Sequence, residues 1–204
     1  MEQVRIVDLL RHGETAGDSG RFRGCHDDPL SETGWQQMWS VAGESCPWQA
    51  VVSSPSRRCR NFAEALAARH GLPLHLEADF RELDFGRWEG RRVAEVLAED
   101  PLPLQRFWED PARFPPPGGE SPLACRDRVM AGWWRWLAGT SARHSLVITH
   151  GGPIRILLAS LLGIPWRHSW RLEIPHAGLS RWRIHGTGRD CLPILVFLNA
   201  DRPR

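Results

Sequence analysis

Short apolar runs separated by helical patterns restrict the fold of this 204-residue chain more than any other feature of its sequence. Four of these runs have the length of buried strands: residues 4–10, 49–53, 72–77 and 145–149. Three more strand-like stretches close the chain, at residues 169–174, 179–184 and 192–198. Because strands that alternate with helices favour a mostly parallel sheet covered on both faces, the sequence predicts a three-layer α/β/α fold. The C-terminal stretches are expected to add an antiparallel edge strand.

Capping residues predict where the helices begin and end. Ser31 begins a helix that runs to about Ala42, and Ser54 with Pro55 begins a second helix that stops at Gly71. Four further helical patterns follow, at residues 91–99, 103–109, 122–138 and 153–162.

The chain is expected to form one domain over residues 1–204, because it contains neither an internal repeat nor a linker long enough to divide it. Its least regular part is about residues 80–125. This part includes Pro115-Pro116-Pro117-Gly118-Gly119, which must be a loop. We therefore expect it to be an insertion over the active site rather than a second domain.

The charge balance disfavours a nucleic-acid-binding protein. All 26 basic residues are arginine, and the chain has 11 tryptophans but no tyrosine, a bias that we attribute to a GC-rich genome. The 24 acidic residues reduce the formal net charge to +2, and no long basic run occurs. A small-molecule partner is therefore favoured over a nucleic acid.

Other patterns predict a cytoplasmic protein without a metal or a cofactor. No apolar run approaches the roughly 20 residues of a membrane helix. The first residues lack the basic and then apolar pattern of a secretory signal. The five cysteines include no Cys-x-x-Cys pair, which fits a reducing compartment, and the nine histidines show no metal-ligand spacing.

Unusual polar groups follow three of the predicted strands. Arg11-His12-Gly13 ends the first strand, Ser53-Ser54 ends the second with Arg58 one helical turn later, and His150-Gly151-Gly152 follows the strand at 145–149. Ligands of open α/β sheets bind beyond the carboxyl ends of strands. If these strands are neighbours, two arginines, two histidines and two helix N-termini converge, which is an arrangement typical of a phosphate site.

The same residue types indicate phosphoryl transfer. A histidine nitrogen that is in line with phosphorus can form a phosphohistidine and split one displacement into two. Arginines then supply the positive charge that a metal would otherwise provide.

Five blocks of the sequence, in order and at the expected spacing, resemble the histidine phosphatase superfamily, which includes the phosphoglycerate mutases. The resemblance covers about residues 4–185. Its blocks are Leu10-Arg11-His12-Gly13-Glu14-Thr15, the stretch from Gly20 to Gly34, Ser53 to Cys59, Glu82 to Gly90, and Pro116 to Ser121 with Thr149 to Arg155. The resemblance implies a phosphoglycerate mutase-like fold and a phosphoric monoester hydrolase. It also leaves room for a homodimer.

The resemblance assigns the catalytic roles. His12 would be the nucleophile that accepts the phosphoryl group, and Arg11, Arg58 and His150 would bind its oxygens. Glu82 would protonate the leaving oxygen and then activate water.

Three further positions would bind substrate. Gly151 would donate a backbone N–H, and Arg23 and Gly24 would line the substrate entrance. One position departs from the family pattern, because Asp18 stands where an asparagine is usual. An ionised aspartate beside a phosphate would repel it, so Asp18 is not counted among the catalytic residues.

The motif around Glu82 favours hydrolysis over a mutase reaction. Cofactor-dependent mutases resemble one another in having Arg, Tyr and a basic residue at three positions of this region. The residues at these positions here are Leu83, Phe85 and Val93. Glu82 to Gly90 together with Phe107-Trp108 looks most like the α-ribazole phosphatases of cobalamin biosynthesis.

Four aromatic residues could contact a benzimidazole or could belong to the core: Phe22, Trp88, Phe107 and Trp108. The alternatives to an α-ribazole-5′-phosphate (adenosylcobalamin-5′-phosphate) phosphatase are a broad-specificity or mutase-like enzyme acting on another small phosphate ester, and a non-catalytic protein that binds a phospho-ligand.

Overall fold

A six-stranded sheet forms the centre of the molecule in the computed structural model, which describes residues 4–17 and 20–201. Its strands are β1 (Val4–Arg11), β2 (Ala50–Ser53), β3 (Leu74–Leu76), β4 (His144–Thr149), β5 (Leu179–His185) and β6 (Leu192–Ala200). Their order is β3-β2-β4-β1-β5-β6. The first four strands in this order pair in parallel, and β5 and β6 pair antiparallel. The predicted mostly parallel sheet with an antiparallel edge is confirmed.

Six α-helices connect these strands: α1 (Glu32–Ala42), α2 (Arg57–His70), α3 (Val93–Glu99), α4 (Pro101–Glu109), α5 (Pro122–Gly139) and α6 (Gly151–Leu162). The Ser31 side chain caps α1 by accepting a hydrogen bond from Gly34 N at 3.0 Å. Gly71 ends α2 in the left-handed conformation, as predicted. No helix in the described ranges is long and apolar enough to cross a membrane.

The predicted start of α2 is wrong by two residues. The helix begins at Arg57 with Ser56 as its N-cap residue, and not at Ser54–Pro55. Ser54 continues the strand instead, because its N–H donates to Ile148 O at 2.9 Å. Its hydroxyl lies 2.8 Å from His150 Nε2 and so does not cap the helix.

The predicted strand at 169–174 is also wrong, because a 3₁₀-helix occupies Trp166–Arg171. Trp166 and Trp170 both pack against the core. A spacing of four residues places two side chains on one face of either a strand or a helix, so this pattern could not distinguish the two.

Two apolar clusters cover the two faces of the sheet. Val7 and Leu9 of β1 point into a cluster with residues of α5 and α6, whereas Leu10 points to the opposite face and packs with residues of α1 and α2. All three strand residues are at most 2% exposed. This arrangement confirms the three layers and leaves the carboxyl ends of β2, β4 and β1 side by side.

The loop after β1 lies directly on the backbone of α1. A Cβ atom at Gly13 would stand 2.3 Å from Gly34 O, and a Cβ atom at Gly34 would stand 2.0 Å from Glu14 O. Neither position can therefore carry a side chain in this conformation, and the backbone next to His12 is fixed by direct contact with the helix.

Candidate active site

The order β2-β4-β1 brings together the three strand ends that the sequence singled out. The ring centres of His12 and His150 are 5.2 Å apart, and Arg58 Nε donates to His150 Nδ1 at 3.1 Å. His12, Arg58 and His150 are all buried. Three groups from distant parts of the chain thus form one compact polar centre.

His12 presents one ring nitrogen that is free to react. Its Nδ1 lies 2.8 Å from Gly13 O, and because a carbonyl can only accept, Nδ1 carries the proton and Nε2 keeps its lone pair. Burial, followed by the positive charges of Arg58 and Arg11, lowers the pKa of His12 well below its usual value. The imidazole is therefore neutral at physiological pH, as a nucleophile requires.

His150 is oriented from both of its nitrogens. Its Nδ1 accepts from Arg58, so its Nε2 carries the proton and donates to Ser54 Oγ at 2.8 Å. Burial, Arg58 and His12 lower the pKa of His150 well below its usual value. Sequence analysis named Ser53-Ser54 among the polar groups at the strand ends and also predicted that Ser54 caps a helix, but it did not predict that Ser54 orients His150.

Arg58 binds the loop above the site as well as His150. Its Nη1 donates to His26 O at 2.8 Å, and its Nη2 donates to the carbonyl oxygens of Arg23 and Gly24 at 3.1 and 3.0 Å. The side chain is completely buried. Because one N–H of Nη1 is not used by these bonds, Arg58 keeps a donor for an anion while it anchors the loop.

Arg11 offers an unused donor next to the start of α6. Its Nη1 donates to Ile174 O at 2.5 Å, and its Nη2 lies 3.0 Å from His176 Nε2. Its Nε is buried and has no hydrogen-bond partner within residues 4–17 and 20–201. This atom lies 3.5 Å from the place of a Cβ at Gly151, the first residue of α6, whose N–H has no intrahelical acceptor. An anion bound there would accept hydrogen bonds from both Arg11 Nε and the Gly151 N–H.

Charge on Arg11 persists despite its burial. Desolvation, opposed by Glu82 and assisted by Arg155, lowers the pKa of Arg11 to about 10. Arg11 therefore remains a cation at physiological pH, and the site carries positive charge without help from a metal ion.

A third histidine, which sequence analysis missed, adjoins His12. The ring centres of His12 and His176 are 5.6 Å apart, and burial and Arg11 lower the pKa of His176 to about 4. His176 lies just before β5, after a segment that was predicted as a strand. His176 can be recognised as part of the site only from the structure, because it lies against Arg11.

Glu82 reaches the same centre from the opposite side. Its Oε2 accepts from Gly152 N at 3.1 Å, in the first turn of α6, and its Oε1 accepts from Leu83 N at 3.0 Å. A Cβ atom at Gly152 would stand 2.0 Å from Glu82 Oε1. Glycine at position 152 therefore makes the room that the carboxylate occupies.

Arg128 of α5 supports the segment that carries Glu82. It donates to both carboxylate oxygens of Glu120 at 2.6 and 2.7 Å, and to the carbonyl oxygens of Asp79, Arg81 and Glu82 at 2.8 to 2.9 Å. One guanidinium thus replaces the regular hydrogen bonding that this turn lacks.

Glu89 fixes the entrance loop in a similar way. Its carboxylate accepts the backbone N–H groups of Gly24, Cys25, His26 and Phe85 at 2.9 to 3.2 Å. Both Arg128 and Glu89 escaped sequence analysis, because their partners are backbone groups far away in the chain.

The two predicted entrance residues are placed differently. Gly24 borders an open cleft, whereas the Arg23 guanidinium turns back to Asp28, with Nε 2.8 Å from its carboxylate, and toward Ala16 O. Asp18 lies outside the described residues.

Two cavities adjoin Glu82. The apolar cavity, of about 70 Å³, is lined by residues that include Leu83, Phe107, Ile156, Trp166 and Trp170. The polar cleft, of about 510 Å³, is lined by residues that include Cys25, Asp27, Arg81, Asp84 and Arg128. The carboxylate therefore stands between two very different environments.

Of the four aromatic residues considered for substrate packing, three belong to the core: Phe22, Trp88 and Phe107. Phe22 and Trp88 are 8% and 3% exposed, and their ring centres are 5.4 Å apart. Phe107 is buried but borders the apolar cavity, and Trp108 is exposed.

Within the described residues, one group of side chains has the proximity of metal ligands. Donor atoms of Cys25, Asp84 and Glu89 lie within 4.8 Å of one another. The Glu89 carboxylate already accepts four backbone N–H groups, and partial burial together with Asp84 and Glu89 raises the pKa of the Cys25 thiol. We assign no metal to this group.

Comparisons with known proteins agree with this geometry. A family model described as the histidine phosphatase superfamily (branch 1) matches residues 7–194. A glucosyl-3-phosphoglycerate phosphatase of Mycolicibacterium vanbaalenii is 36% identical over 173 residues, which are 80% of this chain and 76% of that protein. A bifunctional protein of Mycobacterium tuberculosis is 35% identical over 191 residues, which are 92% of this chain. The chain spans only 52% of that protein, about half the length of the first relatives it matches.

Solved structures show the same fold. A mycobacterial hydrolase superposes with a TM-score of 0.86 at 29% identity, covering 98% of this chain and 92% of its own. The α-ribazole phosphatase of Shigella flexneri superposes with a TM-score of 0.82 at 24% identity, covering 98% of both chains.

Proposed function

The chain belongs to the histidine phosphatase superfamily, and from this premise we propose that it is a phosphatase that hydrolyses small phosphate monoesters through a phosphohistidine on His12. The observation that carries the proposal is the state of His12. Its Nδ1 proton is bound to Gly13 O, its ring is neutral, and its free Nε2 lies in a buried centre with Arg11 and Arg58. A free imidazole nitrogen among cations is what attack on an anionic phosphate needs.

In the first step, His12 Nε2 attacks phosphorus, the N–P bond forms and the bond from phosphorus to the ester oxygen breaks. Glu82 gives its proton to the departing oxygen. The positively charged Arg11 and Arg58, the Nε2–H of His150 in exchange for its bond to Ser54 Oγ, and the N–H of Gly151 bind the phosphoryl oxygens, on which negative charge is spread during transfer.

In the second step, water attacks the phosphohistidine. The Glu82 carboxylate takes a proton from this water, the N–P bond breaks, and inorganic phosphate leaves with His12 again neutral. Charge stabilisation by arginines means that no metal ion takes part in this scheme.

For the substrate, we propose α-ribazole 5′-phosphate or the late cobalamin intermediate that carries the same phosphate. Support comes from the motif of residues 82–90 and from the apolar cavity beside Glu82. A second candidate is glucosyl-3-phosphoglycerate, because a phosphatase named for it is 36% identical to this chain. A mutase reaction is disfavoured, since Val93 replaces a cation that a second anionic group of the substrate would require.

A binding protein without turnover is the remaining alternative, and the complete set of His12, Glu82, Arg11, Arg58 and His150 argues against it. The test is phosphate release in the presence of EDTA from α-ribazole 5′-phosphate, glucosyl-3-phosphoglycerate, phosphoglycerates, sugar phosphates, nucleotides and phosphoserine.

A preference of about a hundredfold in kcat/KM for α-ribazole 5′-phosphate, or about 2.7 kcal/mol, would support the cobalamin substrate. The same preference for glucosyl-3-phosphoglycerate would support the second candidate, and no release from any ester would contradict the phosphatase mechanism.

A further inference from the structure

The apolar cavity beside Glu82 has the composition of a binding site for a flat apolar group. Phe85, Phe107, Ile156, Trp166 and Trp170 contribute most of its wall. Glu82 and Gly152 form the end next to the catalytic centre. A group that leaves with the oxygen protonated by Glu82 therefore has direct access to this cavity.

Water is a poor occupant of this cavity. Its volume of about 70 Å³ has room for several water molecules, each of which needs two to four polar partners. The walls are mainly aromatic and aliphatic, so few such partners exist. The volume is too small for a whole nucleoside and is about half of the roughly 150 Å³ that encloses a benzene ring, so a ring that enters from the catalytic side would fill the cavity and project from its open end.

Two donors in the cavity wall lack acceptors. The indole Nε1 atoms of Trp166 and Trp170 are buried and have no hydrogen-bond partner in the described part of the chain. Buried indole N–H groups usually find a partner.

The rigid surroundings preserve the shape of the cavity. The ring of Trp170 packs on Phe107 with 5.3 Å between ring centres, and the Arg155 guanidinium lies 5.4 Å from the Trp170 ring centre. Arg155 Nε in turn donates to Leu172 O at 2.9 Å. A preformed cavity of this kind selects by shape, because little ordering is needed on binding.

We propose that this cavity binds an aromatic or heteroaromatic ring of the substrate's leaving alcohol, so that the enzyme prefers aryl-bearing phosphate esters over those of polar alcohols. This inference rests on the proposed phosphatase function and adds the chemical class of the leaving group. A carbohydrate would leave several hydroxyl groups unpaired against the aromatic wall, so it is the disfavoured occupant.

The test compares benzyl phosphate with glycerol 3-phosphate, two alkyl phosphates that both need a protonated leaving oxygen. We expect kcat/KM in EDTA to be at least about tenfold higher for benzyl phosphate, or about 1.4 kcal/mol. A ratio near one in the wild-type protein would overturn the inference.

Two variants and one matched control locate the preference. Ser169→Met fills the cavity from its wall with a flexible side chain, and Trp170→Leu removes its largest ring. Both should lower the ratio of benzyl to glycerol kcat/KM by about fivefold or more. Trp136→Leu is the control: this indole is also buried without a partner in the structure as described, but it lies against His75, away from the cavity. Equal changes in all three variants would contradict the assignment.

The outcomes separate this inference from the function on which it rests. Hydrolysis of both esters at equal rates, with a labelled phosphohistidine, would leave the phosphatase mechanism intact and overturn the aryl site. Absence of hydrolysis and of phosphohistidine would overturn both.

Discussion

The two sides of the active centre are built by different means. His12, Arg58 and His150 lie at the ends of hydrogen-bonded parallel strands or in the first turn of a helix, and all three are buried. Glu82 lies between two short 3₁₀ turns, Ala78–Phe80 and Gly86–Trp88, in a segment that Arg128 and Glu89 attach through single side chains.

The difference matches what each side has to recognise. Every substrate of a phosphomonoesterase presents the same phosphoryl group, and the strand-end side places its groups with the precision of the sheet. Leaving groups differ between substrates, and the Glu82 side borders both the apolar cavity and the polar cleft. Under the proposed mechanism, the sheet would therefore position the groups that bind the phosphoryl group, and the irregular segment would select the leaving group.

The largest effect is expected on the strand-end side. His12→Ala removes the nucleophile, and kcat should fall by about 10⁴-fold or more, with no labelled phosphohistidine. Far-UV circular dichroism should stay unchanged, because the loop after β1 is fixed by glycine contacts and not by the imidazole. Near-full activity in this variant would remove His12 from the mechanism.

Glu82→Gln tests the acid role of Glu82, in the irregular segment on the other side of the active centre. Hydrolysis of an alkyl phosphate should slow by about 10² to 10⁴-fold, because the alkoxide leaves poorly without a proton. Hydrolysis of p-nitrophenyl phosphate should slow much less, since its phenolate needs little protonation. Equal losses for both esters would argue against an acid role for Glu82.

Gly152→Ala tests the contact between the two sides. The new methyl group would displace the Glu82 carboxylate, and a displacement of about 1 Å costs up to about a hundredfold in kcat. Gly139→Ala is the matched control, because a Cβ there has no neighbour within 4 Å. If both variants keep wild-type kcat, the Glu82 position is not critical.

Arg128→Lys tests whether one side chain positions Glu82. Lysine cannot form the paired bonds to Glu120 while it also binds three carbonyl groups. We expect kcat to fall by about tenfold with KM unchanged, and the free energy of unfolding to fall by about 1–3 kcal/mol. Arg126→Lys, on the exposed face of the same helix, should change neither. A change in KM alone would show that Arg128 contacts substrate instead.

The smallest effect concerns pH. The pKa values of His12 and His150 are lowered in the folded protein, so below their usual value near 6.5 the unfolded chain binds more protons than the folded one. Stability should therefore fall as the pH drops below about 6.5, by at most about 1.4 kcal/mol per pH unit for each histidine.

Urea unfolding between pH 7 and pH 5 measures this dependence. His12→Asn should flatten it, whereas His75→Asn, at an exposed position, should leave it unchanged. A steeper dependence in His12→Asn would reverse the assigned sign.

The same contrast explains what the sequence could predict. Parallel strand order brings strand ends together wherever they stand in the chain, so His12, Arg58 and His150 could be predicted from the pattern of strands. Glu82 came only from a family resemblance, because no periodicity marks an irregular turn. Arg128, Glu89 and His176 act on backbone groups or rings distant in sequence, and no local signal identifies such partners.

Two errors have a related cause. Ser54 has the composition of a helix cap, but a hydrogen bond from its N–H to Ile148 O keeps it in the sheet. The segment of Trp166 and Trp170 has the aromatic content of a strand, but it forms a 3₁₀-helix whose tryptophans pack against the core. In both places tertiary contacts outweighed local preference.

The close contact between Gly13 and Gly34 limits how such a protein can evolve. At both positions any side chain would collide with the opposite backbone, so a substitution by even the smallest residue would move the backbone next to His12. The walls of the apolar cavity are ordinary side chains that can be exchanged one at a time. New substrate preferences can therefore arise by drift in the residues of those walls, while the groups that bind the phosphoryl group are inherited unchanged.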